Sequence, residues 1–285
     1  MVRVSTVIFI ISFLLYNINL HAKNPPPGTG TSDIPANILI MLDNSGSMRI
    51  ELPVKAGLIK PIDVQTDSSG NIFVLEYGYG RMKVFDSSGN YLRDFGGLGG
   101  ANNCAKWNGA RQFAIYNDQI YIADFFNRRI KVLDLEGNCI KQAALSLYPQ
   151  GIAVNDNYVF YSNNTRQIGK LARSNLSDLG SQSFGASVVS WGFGMSLNNA
   201  GNKLVVASAN SRYGGRRFTE FNVSGSTLSF VSSSSRDRVS YDADYDSNGN
   251  IFGTDRHRLR KYNSNLSFLS QIASGYNYPY GVHLD

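Results

Sequence analysis

The chain has 285 residues, a formal net charge of +6, three histidines and two cysteines. So few histidines and cysteines exclude a protein built on metal-spaced Cys/His clusters, and the sequence contains neither a P-loop nor a nucleophile elbow. Without its first 22 residues, the chain has the length of one all-β domain of about 200–250 residues.

Residues 1–22 have the pattern of a secretory signal peptide. Arg3 supplies a positive charge, residues 7–16 are apolar, and Leu20-His21-Ala22 is a cleavage site, although leucine is not the favoured small residue at its first position. The apolar run is too short to span a bilayer as a stable helix, and a retained membrane anchor is the alternative interpretation. No later segment has a transmembrane pattern. We therefore expect an exported chain in the periplasm, on the cell surface or in the medium.

The net charge falls to +5 once Arg3 is removed. Basic residues are scattered, with small clusters at residues 212–217 and 256–261. An exported chain meets little RNA, so we expect no nucleic-acid partner. The clusters are interpreted either as solvated strand faces or as a mild attraction to anionic surfaces or glycans.

A linker and a short apolar strand follow the signal peptide. Residues 23–36 are rich in Pro, Gly, Ser and Thr, which predicts an extended, semi-rigid spacer. Residues 37–42 (NILIML) predict a buried strand, after which Asp43, Ser45 and Ser47 stand in the spacing D-x-S-x-S. One carboxylate and two hydroxyls on a tight turn supply hard oxygen ligands of the kind that Mg²⁺ and Ca²⁺ prefer. An ordinary Asp/Ser/Gly turn is the alternative.

This stretch, residues 37–56, resembles the first strand and metal-ion-dependent adhesion motif of a von Willebrand factor A domain. The resemblance implies that Asp43, Ser45 and Ser47 bind a metal ion. In that family, a Thr and an Asp from later loops complete the shell, and an acidic residue of the partner takes the open position. Here Pro53 stands where that family has a long helix. The site is incomplete, so we expect these 285 residues to bind Mg²⁺ or Ca²⁺ weakly at that loop, if at all.

The next stretch, up to Gly96, predicts four short strands with a turn between each pair. We expect strands at Pro61–Thr66, Ile72–Glu76, Met82–Phe85 and Tyr91–Phe95, because Val, Ile, Phe and Tyr alternate or cluster there. The first and last turns share the spelling DSSGN, in which Asp, Ser and Gly favour a tight reversal. One such unit cannot bury both its faces, so it needs neighbours of the same kind.

The unit recurs with a period of about 40 residues, which is typical of a β-propeller. The pattern P-x-G-hydrophobic-A-V, then a G-N strand, then N-x-R-I-x-V-hydrophobic-D resembles the NHL repeat family. We therefore expect an all-β, six-bladed-type propeller over residues 57–285, with five blades and the first strand of a sixth. The expected blades are 57–97, 107–145, 147–185, 188–234 and 235–273, with a partial blade at 274–285. Residues 37–42 could complete the last blade, or the ring could stay open.

The two resemblances together suggest an adhesion protein. A bacterial type IV pilus-tip adhesin, which joins an A-type domain to a propeller, is the nearest architecture by analogy. Either the propeller is inserted into an A domain whose remainder lies beyond Asp285, or the motif is a relic. Truncation of the chain at its C terminus would explain both the unfinished A domain and the unfinished sixth blade. The function implied is non-catalytic binding of a protein or glycan surface ligand.

Aromatic residues give this binding role its candidate surface. The chain has 16 Tyr, 16 Phe and 2 Trp, and many of them are expected to pack between blades. Loops between second and third strands often reach a propeller face. The aromatic residues predicted in such loops are Tyr77, Tyr79, Phe125, Phe126 and Tyr213.

An enzyme is the alternative function. Some propellers of this kind are hydrolases, lactonases or lyases that hold a divalent metal in the central channel with inward carboxylates or histidines. His283, on an expected inner strand, is the best single candidate for such a channel residue. Glu76, Asp124 and Asp255 recur at the ends of second strands, and we interpret them as turn-stabilising carboxylates.

The two cysteines are expected to remain unpaired. Export permits a disulfide, but Cys104 falls in the loop before the second blade and Cys139 begins that blade's outermost strand. In an up-and-down blade these places lie at opposite ends of a strand, about 17 Å apart, whereas a disulfide needs Cα atoms within about 7 Å. A loop at residues 97–100 that folds back is the alternative.

Overall fold

A computed structural model of the chain describes residues 39–43, 58–100, 102–185, 188–189, 192–210, 215–234, 240–255, 257–274 and 279–284. In these ranges the protein is all-β and contains no helix. Five antiparallel four-stranded sheets form the blades of a β-propeller, and a sixth sheet has two strands. The predicted signal peptide and linker lie outside the described residues, as do Ser45, Ser47 and Tyr213.

The strands follow one another along the chain, and each blade consists of four consecutive strands. The first strand among the described residues is β1 (Leu39–Asp43). The first blade contains β2 (Pro61–Thr66), β3 (Ile72–Glu76), β4 (Arg81–Phe85) and β5 (Tyr91–Gly96). The second contains β6 (Phe113–Tyr116), β7 (Gln119–Asp124), β8 (Arg129–Asp134) and β9 (Cys139–Ala144). The third contains β10 (Pro149–Val154), β11 (Tyr158–Asn163), β12 (Gln167–Ala172) and β13 (Asp178–Ser183).

The fourth and fifth blades have the same order of strands. The fourth contains β14 (Gly192–Leu197), β15 (Lys203–Asn210), β16 (Gly215–Ser224) and β17 (Thr227–Ser233). The fifth contains β18 (Ser240–Tyr245), β19 (Ile251–Asp255), β20 (Arg258–Tyr262) and β21 (Phe268–Ser274). The last strand is β22 (Pro279–Leu284).

The DSSGN turns form because one aspartate carboxylate closes each of them. The Oδ1 atom of Asp67 accepts hydrogen bonds from the backbone N–H groups of Ser69 and Asn71, at 2.9 and 2.8 Å. Gly70 has a φ of +77°, a conformation that glycine adopts without strain. Asp86 and Asp246 close later turns through the same two kinds of bond. The repeated spelling therefore encodes a repeated turn, and the turns set the strand lengths.

The hydrophobic core lies between the blades. Phe73, Met82 and Val84 of the first blade pack against Phe113 and Ile120 of the second, and all five are fully buried. Similar clusters fill the spaces between the second and third, third and fourth, and fourth and fifth blades. Each sheet thus buries its two faces against two neighbours, which is why a single repeat cannot fold alone.

A pairing between the first and last strands supplies the sixth sector of the ring. Strand β22 contacts β2 on one side and β18 on the other, and it pairs antiparallel with β1, with Leu39 opposite Leu284 and Met41 opposite Val282. Sequence analysis left open whether residues 37–42 join the last blade or the ring stays open; the strand at Leu39–Asp43 pairs with β22, which agrees with the first alternative. The sector has two strands within the described ranges.

The prediction of unpaired cysteines was wrong. Cys104 and Cys139 form a disulfide, with their Cα atoms 5.6 Å apart. The prediction placed the loop before the second blade at one end of the strands. The loop instead folds back along β8, because the Nη2 atom of Arg129 donates to the carbonyls of Asn103 and Lys106 at 2.9 and 2.8 Å. This path places Cys104 next to Cys139, the first residue of β9.

A buried lysine next to Arg129 also holds this loop. The Nζ atom of Lys131 donates to the carbonyls of Cys104 and Lys106 and lies 5.4 Å from the centre of the Trp107 ring. The Lys131 side chain is fully buried, 3.8 Å from the Asp124 carboxylate. Burial lowers the pKa of Lys131 from its ordinary value of 10.5 to about 7, although Asp124 opposes the shift.

We expect this lysine to make folding stability depend on pH. Between about pH 7 and about pH 10 the unfolded chain binds a proton on Lys131 that the folded chain does not, so the free energy of unfolding rises with pH. Urea denaturation at about pH 7 and about pH 9 should show a higher midpoint at the higher pH. The Lys131→Met variant should show a smaller rise, because Lys83 and Lys141, whose pKa values burial also lowers, remain. Lys170→Met, at a half-buried position on β12, should keep the full rise. An unchanged rise in Lys131→Met would contradict the assignment.

Candidate functional site

The central channel is lined by the first strand of every sector. These inner strands are β2, β6, β10, β14, β18 and β22, and each of them contacts the inner strands beside it. Their first residues surround one mouth of the channel, and their last residues surround the other. We call these the upper face and the lower face. An inner strand is the edge of its sheet, so its inward N–H groups need acceptors inside the channel.

Gln112 satisfies several of these groups at once. Its Oε1 atom accepts hydrogen bonds from the N–H groups of Ile152 in the third blade and Met195 in the fourth, at 2.8 and 3.0 Å. Its Nε2 atom donates to the Asp242 carboxylate of the fifth blade at 3.0 Å. Gln112 is 5 % exposed, so one buried amide connects four blades across the channel.

Buried carboxylates complete the network. The Oδ2 atom of Asp63 accepts from the N–H of Phe113 at 2.8 Å, and the Oδ2 atom of Asp242 accepts from the N–H of Val282 at 3.0 Å. Burial raises the pKa of both carboxyls well above the ordinary value of 3.8, and repulsion from neighbouring carboxylates adds to the shift. A Cβ at Gly194 would lie 1.9 Å from the Asp242 Oδ1 atom, so only glycine allows this close approach.

His283 lies at the lower face, as sequence analysis placed it in the channel. Its Nδ1 atom is 3.0 Å from the Asp244 carboxylate, and its Nε2 atom is 3.1 Å from the Thr66 hydroxyl. Asp244 also accepts from the N–H of Leu284 at 2.9 Å and from the Ser196 hydroxyl. Asp244, His283 and Thr66 belong to three adjacent sectors. Asp244 and His283, together with Ser196, line a cavity of about 220 Å³. The imidazole thus joins the closing strand to both its neighbours.

The carboxylates at the ends of second strands hold loops in place. Glu76 pairs with Arg81 at 2.6 Å and accepts from the N–H of Ile59 at the same distance. Asp124 pairs with Arg129 at 2.6 Å and accepts from the N–H of Asn108. Asp255 likewise pairs with Arg260 at 3.5 Å and accepts from the N–H of His257. These contacts agree with the turn-stabilising role predicted from the sequence.

A belt of aromatic side chains surrounds Arg111 at the upper face. The guanidinium carbon lies 4.9 Å from the ring centre of Phe125, 5.5 Å from Phe193 and 5.6 Å from Tyr77. Ring contacts continue from Phe193 to Tyr241 at 5.8 Å and from Tyr241 to Tyr280 at 4.5 Å. All these rings are half-buried. We call the five residues Tyr77, Phe125, Phe193, Tyr241 and Tyr280 the aromatic belt.

The predicted recognition residues fall in and beside this belt. Tyr77 and Phe125 belong to it, while Tyr79 and Phe126 extend from the same two loops and are 50 % and 52 % exposed. Tyr213 lies outside the described residues.

Sequence analysis missed Arg111, Phe193, Tyr241 and Tyr280. Three of these residues, Phe193, Tyr241 and Tyr280, occupy the second position of an inner strand, where Ile62 and Gln150 stand in β2 and β10. Comparing that one position across all repeats would have revealed the ring of residues at the channel mouth.

The first residue of the D-x-S-x-S metal motif, Asp43, lies on the same side of the propeller as this face. The Cα atom of Asp43, the last residue of β1, pairs with that of Pro279, the first residue of β22. The backbone at Asp43 therefore lies at the upper face, while Ser45 and Ser47 are outside the described ranges. Among the residues that the structure describes, no group of three or more His, Cys, Asp or Glu side chains is arranged to hold a metal ion.

Comparison with known proteins gives no family assignment. No protein-family model matches the chain, and no curated protein matches it either. By its fold, the chain is a β-propeller with five complete blades. No helix in the described part of the chain is long and apolar enough to cross a membrane.

We expect Gln112→Leu to destabilise the propeller strongly. The substitution leaves the N–H groups of Ile152 and Met195 and one Asp242 oxygen without their partner, and each stranded group costs about 1–3 kcal/mol. Urea denaturation should show a loss of at least about 3 kcal/mol in the free energy of unfolding. Gln150→Leu is the matched control, because Gln150 is equally buried at the same mouth. Similar losses in both variants would contradict the assignment.

Proposed function

We propose that the protein is an exported, non-catalytic binding protein whose upper propeller face recognises a protein or glycan ligand. Its repeats resemble NHL repeats, and its N-terminal segment resembles the start of a von Willebrand factor A domain. The proposal includes the signal peptide at residues 1–22 and an adhesive role like that of a pilus-tip protein. The aromatic belt around Arg111 is the observation that carries it.

The aromatic belt has the composition of a recognition surface. Tyr and Arg are enriched among the residues that dominate binding energy, where they lie in pockets shielded from water. The belt supplies three tyrosines and two phenylalanines around Arg111 at one channel mouth, and Tyr79 and Phe126 add exposed rings beside it. Rings already held by neighbouring rings lose little conformational entropy when a ligand binds, which favours affinity.

The D-x-S-x-S motif supports the same face. Strand β1 ends at the upper face, so a metal held by Asp43, Ser45 and Ser47 would lie on the belt's side of the propeller. These residues alone supply at most three oxygens, whereas Mg²⁺ takes six ligands. We propose Mg²⁺ or Ca²⁺ as the ion of this incomplete site and an acidic group of the ligand as one of the missing oxygens.

A binding screen with a matched pair of variants tests the proposal. Arrays of immobilised glycans and peptides are probed with the wild-type chain, Phe126→Ala and Phe230→Ala. Phe126 and Phe230 are 52 % and 51 % exposed, but Phe230 lies on β17, the outermost strand of the fourth blade. We expect at least one ligand whose affinity falls about tenfold in Phe126→Ala and stays unchanged in Phe230→Ala. Equal affinities of all three proteins for every ligand would refute the proposal.

Hydrolysis is a second candidate function, favoured by the order Asp244–His283–Thr66 at the lower face. A carboxylate that holds the Nδ1–H of an imidazole leaves Nε2 free to accept a hydroxyl proton, which is how hydrolases activate a nucleophile. The Thr66 hydroxyl would attack an ester carbonyl and give its proton through the imidazole to the leaving alcohol, and water would then hydrolyse the acyl group from Thr66. Hydrolysis of p-nitrophenyl acetate should then vanish in Thr66→Val and persist in Thr66→Ser. Activity that survives in Thr66→Val would exclude this mechanism.

A further inference from the structure

The guanidinium of Arg111 carries a charge that no described acidic side chain balances at the channel mouth. Within the described parts of the chain, no carboxylate lies within 4.0 Å of its nitrogen atoms. Its Nε atom is buried and donates no hydrogen bond. Arg129, in contrast, pairs with Asp124 and donates to several backbone carbonyls. Arg111 is therefore held in place without being neutralised.

The aromatic rings satisfy only part of what Arg111 requires. A cation over a ring face gains about 0.5–2 kcal/mol, but this attraction uses the charge and leaves the buried Nε–H of Arg111 without an acceptor. A buried donor without an acceptor costs about 1–3 kcal/mol, and more when the group is charged. A planar guanidinium binds a carboxylate through two parallel hydrogen bonds, which supply both acceptors and the opposite charge.

The carboxylates below Arg111 are already engaged. Asp63 and Asp242 line the same cavity, but Asp63 accepts from the N–H groups of Val64 and Phe113. Asp242 accepts from Gln112 and from the N–H of Val282. Burial raises the pKa of both carboxyls, which weakens their repulsion of an incoming anion. Of the charged side chains that line this cavity, Arg111 is therefore the one with an unused hydrogen-bonding group, and that group is a donor.

The size of the cavity limits what can reach Arg111. Its volume is about 20 Å³, between Arg111, Ile62, Phe193, Tyr241 and Tyr280. Space of about 10–15 Å³ holds one water molecule, so the space beside Arg111 suits a small group such as a carboxylate better than a sugar ring. In a uronic acid the carboxylate is attached directly to the ring, whereas in Asp and Glu one or two methylenes separate it from the backbone.

We propose that Arg111 is the anchor for an acidic side chain, Asp or Glu, of a partner protein. This inference rests on the proposed function and specifies its ligand. The carboxylate enters the channel mouth and pairs with the guanidinium, while the residues beside it contact the aromatic belt. The formal net charge, +6 for the full sequence and +5 without residues 1–22, favours the approach of an acidic segment.

Fluorescein-labelled hexaglutamate, with hexaglutamine as its uncharged counterpart, tests the inference on the full chain. Fluorescence anisotropy should show saturable binding of hexaglutamate that weakens with salt, and no binding of hexaglutamine. Arg111→Gln should weaken hexaglutamate binding at least about tenfold, and Arg111→Lys should give an intermediate loss because an ammonium cannot form the two parallel bonds. Circular dichroism confirms that each variant is folded.

Arg173→Gln is the matched control. Arg173 also lies over an aromatic ring, with its guanidinium carbon 5.3 Å from the centre of Tyr116, but it stands at the lower face. Its substitution removes the same charge and should leave binding unchanged. Equal losses in Arg111→Gln and Arg173→Gln would show a general charge effect and overturn the inference.

Two further outcomes also decide between the proposals. Arg111-dependent binding of oligogalacturonate without binding of hexaglutamate would assign the anchor to acidic glycans and overturn the protein ligand. Array binding that is lost in Phe126→Ala and unaffected by Arg111→Gln would overturn the inference while the proposed recognition function stands. Loss of neither would refute both.

Discussion

The whole ring depends on acceptors for the N–H groups that its inner strands direct into the channel. A propeller buries the faces of its sheets between blades, but the inner edge of every sheet meets the others at the axis, where backbone donors must find partners. Gln112, Asp63 and Asp242 provide those partners with side chains that are almost completely buried. Each acceptor serves a strand in another sector, so the same bonds that satisfy the edges also set the blades relative to one another.

This solution has an electrostatic consequence for the upper face. Concentrating carboxyl groups on the axis places acidic side chains where burial opposes their ionisation. Their oxygens already accept from backbone N–H groups and from the Gln112 amide, so among the described residues they do not pair with Arg111 above them. The buried network and the candidate recognition site therefore lie in the same channel, with the network deeper and Arg111 at the mouth. The buried acceptors Asp63, Gln112 and Asp242 hold the inner strands together. Arg111, surrounded by aromatic rings, is the donor that we propose for a ligand.

The fold was predictable because its signals are local and repeated. Asp67 and Gly70 specify a turn that recurs at Asp86 and Asp246, and the alternating apolar strands between the turns specify the four-stranded unit. The disulfide was not predictable from the same signals, because the loop that carries Cys104 has no counterpart in the other repeats. Its path depends on Arg129, which donates to loop carbonyls more than 20 residues earlier in the chain. About half of the site was predictable. The positions of Tyr77 and Phe125 in loops between second and third strands predicted their place at a propeller face. The role of Arg111 depends on rings from three separate parts of the chain, which only the folded structure brings together.

The pairing of β1 with β22 limits the order in which the parts of the molecule can fold. These strands are separated by more than 230 residues of chain, and contacts between such distant segments form late because the loop between them must close first. When synthesis or export delivers the chain from its N terminus, β1 emerges first and has no partner until the last strand follows. All five blades can assemble in the meantime, with their inner edges still open to water and to other chains. Among the described strands, β22 thus joins the ring last, and its arrival gives β1 a partner and brings His283 between Asp244 and Thr66.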